Sequence, residues 1–305
     1  MAAKFSRRIH TFERETRTHC FQVTRSLSLY SRPVVLLIGI AMYRSLRWIA
    51  AVLLALVALP VSGAGQHGAL VLHGKGESPE QLSELVDTLR RENVIVAAPE
   101  MPWSRRRLYD RTVAEADAEV DAAIAGLLAH EASRVYLIGS GLGASYAVRY
   151  ASRPGATGIV ALAPDHAPES PRYVNIFAND VRRARELISS GRPQSIFEFL
   201  DLLWNNLRSR VTTSPRSFLS YFDAEGPMNM TRNVQALKKD VFVLWIVPTG
   251  GDPNARQYAL DLYKQIPFNP ASQLVDLQVD YSKALYASVR TITEWMNNTV
   301  QYIHE

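Results

Sequence analysis

Six short apolar runs, spaced by stretches of helical periodicity, constrain this chain more than any other feature. They are Gly68–Leu72, Asn93–Ala98, Arg134–Ile138, Gly158–Leu162, Val241–Val247 and Gln273–Val279. A strand apolar on both sides must be covered on both, so the runs predict a mostly parallel sheet with helices on its two faces. The intervening stretches carry helix signals. Ser78, Pro79 and Gln81 have the order of an N-cap, first helical residue and capping box. Leu82, Leu85, Val86 and Leu89 then fall on one face. Thr112–His130 and the segment from Leu285 to Ile303 repeat that periodicity.

One segment interrupts the alternation. Residues 165–238, between the fourth and fifth runs, read as helical and hold Phe177, Phe197, Phe199, Trp204, Phe218, Tyr221 and Phe222. An insertion after a strand's carboxyl end sits above the sheet edge where such folds bind ligands, so this segment is expected to form a cap. Its aromatics are expected mainly to pack on one another.

The N-terminal part has a different character. Residues 1–64 hold nine Lys and Arg against two acids, whereas 65–305 hold 25 against 27. The formal charge of +5 therefore belongs to the leading segment, and the folded part has no electrostatic case for nucleic acid. From Met42, Arg44 and Arg47 precede twelve apolar residues, Trp48–Leu59, followed by Pro60 and the small residues Ser62, Gly63 and Ala64. That is the layout of a secretory signal peptide. Residues 1–41 are then an over-long extension, the mature domain spans 65–305, and the product is exported, with the periplasm as its compartment. If Met1 is the start, 42–64 is instead an uncleaved inner-membrane anchor. The lone Cys20 precedes residue 65, so the domain has no disulfide, thiolate metal site or cysteine nucleophile. No histidine and carboxylate cluster has metal-ligand spacing, and no cofactor is expected.

The third run continues as R-V-Y-L-I-G-S-G-L-G-A from Arg134 to Ala144, a strand, a glycine-dense turn and a helix start. A dinucleotide loop needs G-x-G-x-x-G, and Gly139, Gly141 and Gly143 are spaced as G-x-G-x-G, although Asp165 stands where the acidic partner would be. The better match is G-x-S-x-G, the turn that exposes a nucleophilic serine. With it, 67–300 resembles the α/β-hydrolase superfamily. His73-Gly74-Lys75-Gly76 follows the first run where that family has its oxyanion loop, and Gly251-Asp252-Pro253 follows the fifth where it has its acid. Glu100–Ser104 and Ala161–Pro164 resemble an exported bacterial branch. The resemblance implies backbone oxyanion donors at Gly74, Lys75 and Leu142.

It also implies a broken triad. The apex, where the family has serine, is Gly141, and Tyr281 takes the place of the histidine, which leaves only Asp252. Ser140 lies one position early in the turn and is expected to point away from the site. His166 is the remaining substitute base, and His73 is expected to be structural. An ordinary tyrosine, with a pKa near ~10, is no neutral-pH general base. The expectation is an exported pseudoenzyme that binds an apolar small molecule or a protein partner. Two alternatives stay open: an active ester or amide hydrolase built on Ser140 and His166, and a membrane-tethered interaction protein.

Overall fold

A computed structural model describes residues 66–203, 207–250, 253–299 and 302. The two N-terminal segments of the sequence expectation, 1–41 and 42–64, lie outside the described residues. Among these, no helix is long and apolar enough to cross a membrane.

Each apolar run becomes a strand of one six-stranded parallel sheet, apart from an inserted hairpin. In chain order the elements are β1 (His67–Leu72), a 3-10 turn (Pro79–Leu82), α1 (Ser83–Arg91), β2 (Ile95–Ala97), α2 (Val113–Ala129), β3 (Arg134–Ser140) and α3 (Leu142–Tyr150). Then come β4 (Gly158–Leu162), α4 (Pro171–Ser189), β5 (Phe197–Leu202), β6 (Arg208–Thr213), α5 (Pro215–Phe222) and α6 (Met230–Gln235). β7 (Phe242–Pro248), α7 (Pro253–Tyr263), β8 (Gln273–Leu277) and α8 (Tyr281–Asn298) complete the chain. The Ser78–Gln81 capping box forms, and so does a second one, in which Thr112 and Glu115 exchange side-chain and backbone bonds at the start of α2.

The sheet order is β2-β1-β3-β4-β7-β8, with every neighbouring pair parallel. The chain leaves β1 for β2 on one side and returns to β3 on the other. Right-handed crossovers then require α1 and α2 to cover opposite faces. The core divides accordingly. Ala69, Val71, Tyr136, Ile138, Val160 and Leu244 pack against α1 and α8. Leu70, Leu72, Leu137, Ala161, Val243 and Trp245 pack against α2, α3 and the insertion. Alternate residues of each strand thus enter different layers, and burying each large aliphatic side chain contributes about 1.5–3 kcal/mol. The strand order reverses at β1 and β3, so their carboxyl ends diverge and open a crevice there.

The insertion is helical at both ends and carries an antiparallel hairpin, β5 with β6, between them. The hairpin departs from the helical expectation for this segment: F-E-F-L-D-L pairs residue by residue with Arg208–Thr213, and Phe199 and Asp201 turn to the buried side. Phe199 is fully buried and lies flat on Phe218, with ring centroids 4.4 Å apart, and Phe218 in turn stacks on Phe222 at 4.6 Å.

Candidate functional site

The turn between β3 and α3 is built by steric demand. A Cβ at Gly139 would stand 2.2 Å from the Gly143 carbonyl oxygen, and one at Gly143 would stand 2.4 Å from that of Leu72. Only glycine lets the helix start this close to two strands. Between them Gly141 has φ 55° and ψ −119°, which side-chain-bearing residues rarely adopt. Its amide donates to the Leu162 carbonyl at 3.0 Å. The turn has the strained backbone expected at its apex, and the residue there, glycine, has no side chain.

What stands in front of Gly141 is specific. A Cβ there would lie 2.6 Å from the Tyr281 hydroxyl and 3.4 and 3.8 Å from the two carboxylate oxygens of Asp165. Tyr281 opens α8 after the N-cap Asp280, and Asp165 follows the end of β4. The tyrosine hydroxyl is hydrogen-bonded to both Asp165 and Ser140. Its single proton goes to the carboxylate, so Ser140 is the donor to the phenol oxygen. Ser140 shares the face of β3 that carries Tyr136 and Ile138 towards α8, which is why it meets Tyr281. Burial holds the Asp165 carboxyl above the ordinary aspartate value despite the neighbouring Lys75 cation. Burial, together with Asp165 and Glu77, pushes the Tyr281 phenol well above the usual tyrosine range. Ser140, Asp165 and Tyr281 are each half-buried.

The loop after β1 has been diverted. The Gly74 amide, one of the expected oxyanion donors, donates to the Glu77 carboxylate at 2.8 Å. Burial raises the pKa of that carboxyl. Lys75 turns its side chain up into the insertion, 8% exposed, and pairs with Asp201 of β5 at 3.1 Å. Its ammonium lies 5.6 Å from the Tyr173 ring centre and 5.3 Å from that of Phe222. Burial disfavours this charge, but Asp201 outweighs it and holds the lysine pKa above its ordinary value. Asp201 also accepts from the Tyr109 hydroxyl at 3.0 Å and the Leu202 amide at 2.7 Å. Leu142, first residue of α3, has an amide with no acceptor inside its helix, so this donor is placed at the turn by the helix start itself.

The histidines are engaged elsewhere. His73 is fully buried, with Nδ1 on the Gly74 carbonyl at 2.8 Å and Nε2 accepting from the Met101 amide at 2.9 Å, so it braces the loop. His166 is fully buried too, and its Nε2 donates to the Tyr221 carbonyl at 2.8 Å. Burial and the Lys75 cation hold it well below the usual histidine pKa, as a neutral ring packed edge-on against Tyr173 and Phe222. The structure therefore does not join Ser140 to His166: Ser140 serves Tyr281, and the His166 amide bonds Ser145. Asp252 lies outside the described residues. Among the described residues, no three His, Cys, Asp or Glu side chains converge on a metal position.

Three residues of this site escape sequence reasoning. Glu77 and Asp201 act through pairings that spacing does not reveal. Asp165 carries one usable signal, its position just past the end of a buried strand on the ligand-binding edge of the sheet.

Comparison with known proteins gives a consistent result. Among solved structures, the chain is similar to one of two metagenome-derived lipolytic enzymes, LipS and LipT. That match has 17% identity and a TM-score of 0.55, over 76% of this chain and 95% of the other. The monoacylglycerol lipase of Paleococcus ferrophilus matches at 18% identity and 0.52, over 76% and 96%. The alpha/beta hydrolase GrgF from Penicillium sp. sh18 matches at 11% and 0.57, over 78% and 90%. Identities this low carry the fold alone. None of the curated proteins matches the sequence. The family model for alpha/beta hydrolases, however, matches residues 67–279, and the chain belongs to the alpha/beta hydrolase family.

Proposed function

We propose that this chain is a pseudoenzyme with respect to the serine-hydrolase reaction, a fold that binds at the crevice and cap without serine-based turnover. One observation carries this. Gly141 keeps the backbone of the nucleophile position, and the volume its side chain would need is filled by the Tyr281 hydroxyl, 2.6 Å from the missing Cβ. A serine-directed fluorophosphonate is expected to leave every serine of the full chain unmodified, and simple esters are expected to show negligible sustained turnover. A serine adduct that disappears on Ser140→Ala overturns the proposal.

The bound molecule is proposed to be apolar. Beneath the cap, Lys75 and Asp201 pack against the aromatic stack of Tyr173, Phe218 and Phe222, and the larger space lies on the outer side of the insertion. A groove of about 630 Å³ runs along α4, with Val174, Phe177, Val181 and Phe222 among its walls and Arg182 at its rim. Ala178, exposed, also lines it. Ala178→Trp is expected to abolish uptake of an environment-sensitive apolar dye while leaving thermal unfolding unchanged. Undiminished uptake removes the groove from consideration.

A further inference from the structure

We propose that Tyr281 is an acyl acceptor: its hydroxyl stands where the family's nucleophile stands and takes the acyl group of an activated ester, with Asp165 receiving the phenolic proton. This rests on the absence of serine chemistry proposed above and goes beyond it, because it assigns the turn a stoichiometric reaction of its own.

The geometry points outward from Gly141. A side chain leaving that residue runs into the Tyr281 oxygen, and behind this oxygen both Asp165 oxygens face the same point. An ester whose carbonyl oxygen is held by the Leu142 amide therefore presents its carbonyl carbon to a phenol. The hydrogen bonds are already ordered for transfer, with Tyr281 donating to Asp165 and Ser140 donating to Tyr281. Ser140 thereby holds the phenol oxygen in place and fixes the direction of its proton. Burial lifts both groups above their ordinary values, so the phenol does not ionise by itself, and Asp165, a stronger base than an ordinary aspartate, takes its proton as the carbonyl carbon is attacked.

In the step itself, the Tyr281 oxygen bonds to the carbonyl carbon while its proton passes to Asp165. The resulting oxyanion sits at the Leu142 amide. Its collapse breaks the C–O bond to the activated leaving group, a phenoxide less basic than that of Tyr281; a nitrophenolate departs as the anion and the proton on Asp165 passes to solvent. Ester and tyrosine become acyl-tyrosine, nitrophenolate and a proton, and no further reactant is consumed. The acyl group then stays, since His73 has both ring nitrogens hydrogen-bonded and His166, with Nε2 on the Tyr221 carbonyl, is fully buried and closed to solvent.

The test uses the full chain and p-nitrophenyl acetate. The expected result is a burst of p-nitrophenolate stoichiometric with protein, with little steady turnover afterwards and acetyl on the Tyr281 peptide. Tyr281→Phe should lose the burst. Asp165→Asn should slow it by about 10²–10⁴-fold without moving the adduct. The parent burst rate should fall as pH drops through the Asp165 ionisation, and Asp165→Asn should flatten that profile. No burst, acetyl spread over surface lysines, or a burst that survives Tyr281→Phe in a protein of unchanged circular dichroism overturns this proposal alone. Acetyl on Ser140 overturns it together with the pseudoenzyme proposal.

Discussion

Gly141→Ser combined with Tyr281→His is expected to convert this protein into one that a fluorophosphonate labels at residue 141, with a gain of roughly 10²–10⁴-fold over either single variant. The magnitude is that of general-base assistance to a hydroxyl. Neither substitution suffices alone. A serine at 141 brings its Cβ to 2.6 Å from the Tyr281 hydroxyl and adopts φ 55° with a side chain attached. Strain of that kind costs about 1–3 kcal/mol, so Gly141→Ser should lower thermal stability and remain unlabelled. Tyr281→His alone has no hydroxyl to activate. An imidazole is shorter than a phenol, so the double variant relieves the clash and leaves room for the serine oxygen.

Asp165 decides whether the new imidazole is useful. It already binds the tip of the residue at 281, and a carboxylate on the far nitrogen would hold the ring in its productive tautomer. Family resemblance assigns that task to Asp252 instead. Adding Asp165→Asn or Asp252→Asn to the double variant separates the two, since only the true partner should reduce labelling. If neither does, the imidazole has not reached the serine, and the sidedness of the site described above is wrong.

Legibility in the sequence followed burial. The strands β3, β4 and β7 are buried along almost their whole length, and such residues leave unbroken apolar runs that admit few other interpretations. β8 is an edge strand with exposed Leu274 and Asp276, so its pattern is mixed and its end falls two residues before the expected Val279. The β5–β6 hairpin was hidden because its phenylalanines, taken with those of α4 and α5, suit helix packing equally well. Gly141 and Tyr281 could be singled out in the sequence because strand order assigns each a position in the resemblance. Their contact with Asp165 was not, since it joins three loops that only the sheet brings together. The Lys75–Asp201 pair was hidden for the same reason, because a charged residue in a loop gives no sign that its charge will be buried.

That pair underlies the largest expected loss of stability. Asp201→Asn should cost about 3–5 kcal/mol, measured by denaturant unfolding, because it strands the Lys75 ammonium in an apolar and aromatic surround. Lys75→Met with Asp201→Leu should recover most of this, since the desolvation of both charges disappears together. The pH dependence gives an independent check. In the parent protein the folded-state pKa of Lys75 is raised, so its contribution is fully present below the ordinary lysine value near ~10.4 and is lost only as pH climbs through the folded value. The pair should therefore add no slope between neutral pH and pH ~9. In Asp201→Asn the sign reverses, since burial then outweighs the remaining attraction of Asp165 and lowers the folded pKa; the unfolded chain binds more protons, and stability rises with pH up to the unfolded value. The gap between variant and parent should narrow as pH is raised from 6 towards 9. A gap that is constant with pH would mean that Asp201→Asn acts through the lost Tyr109 and Leu202 hydrogen bonds, and the ion pair would not be what ties the cap hairpin to the loop after β1.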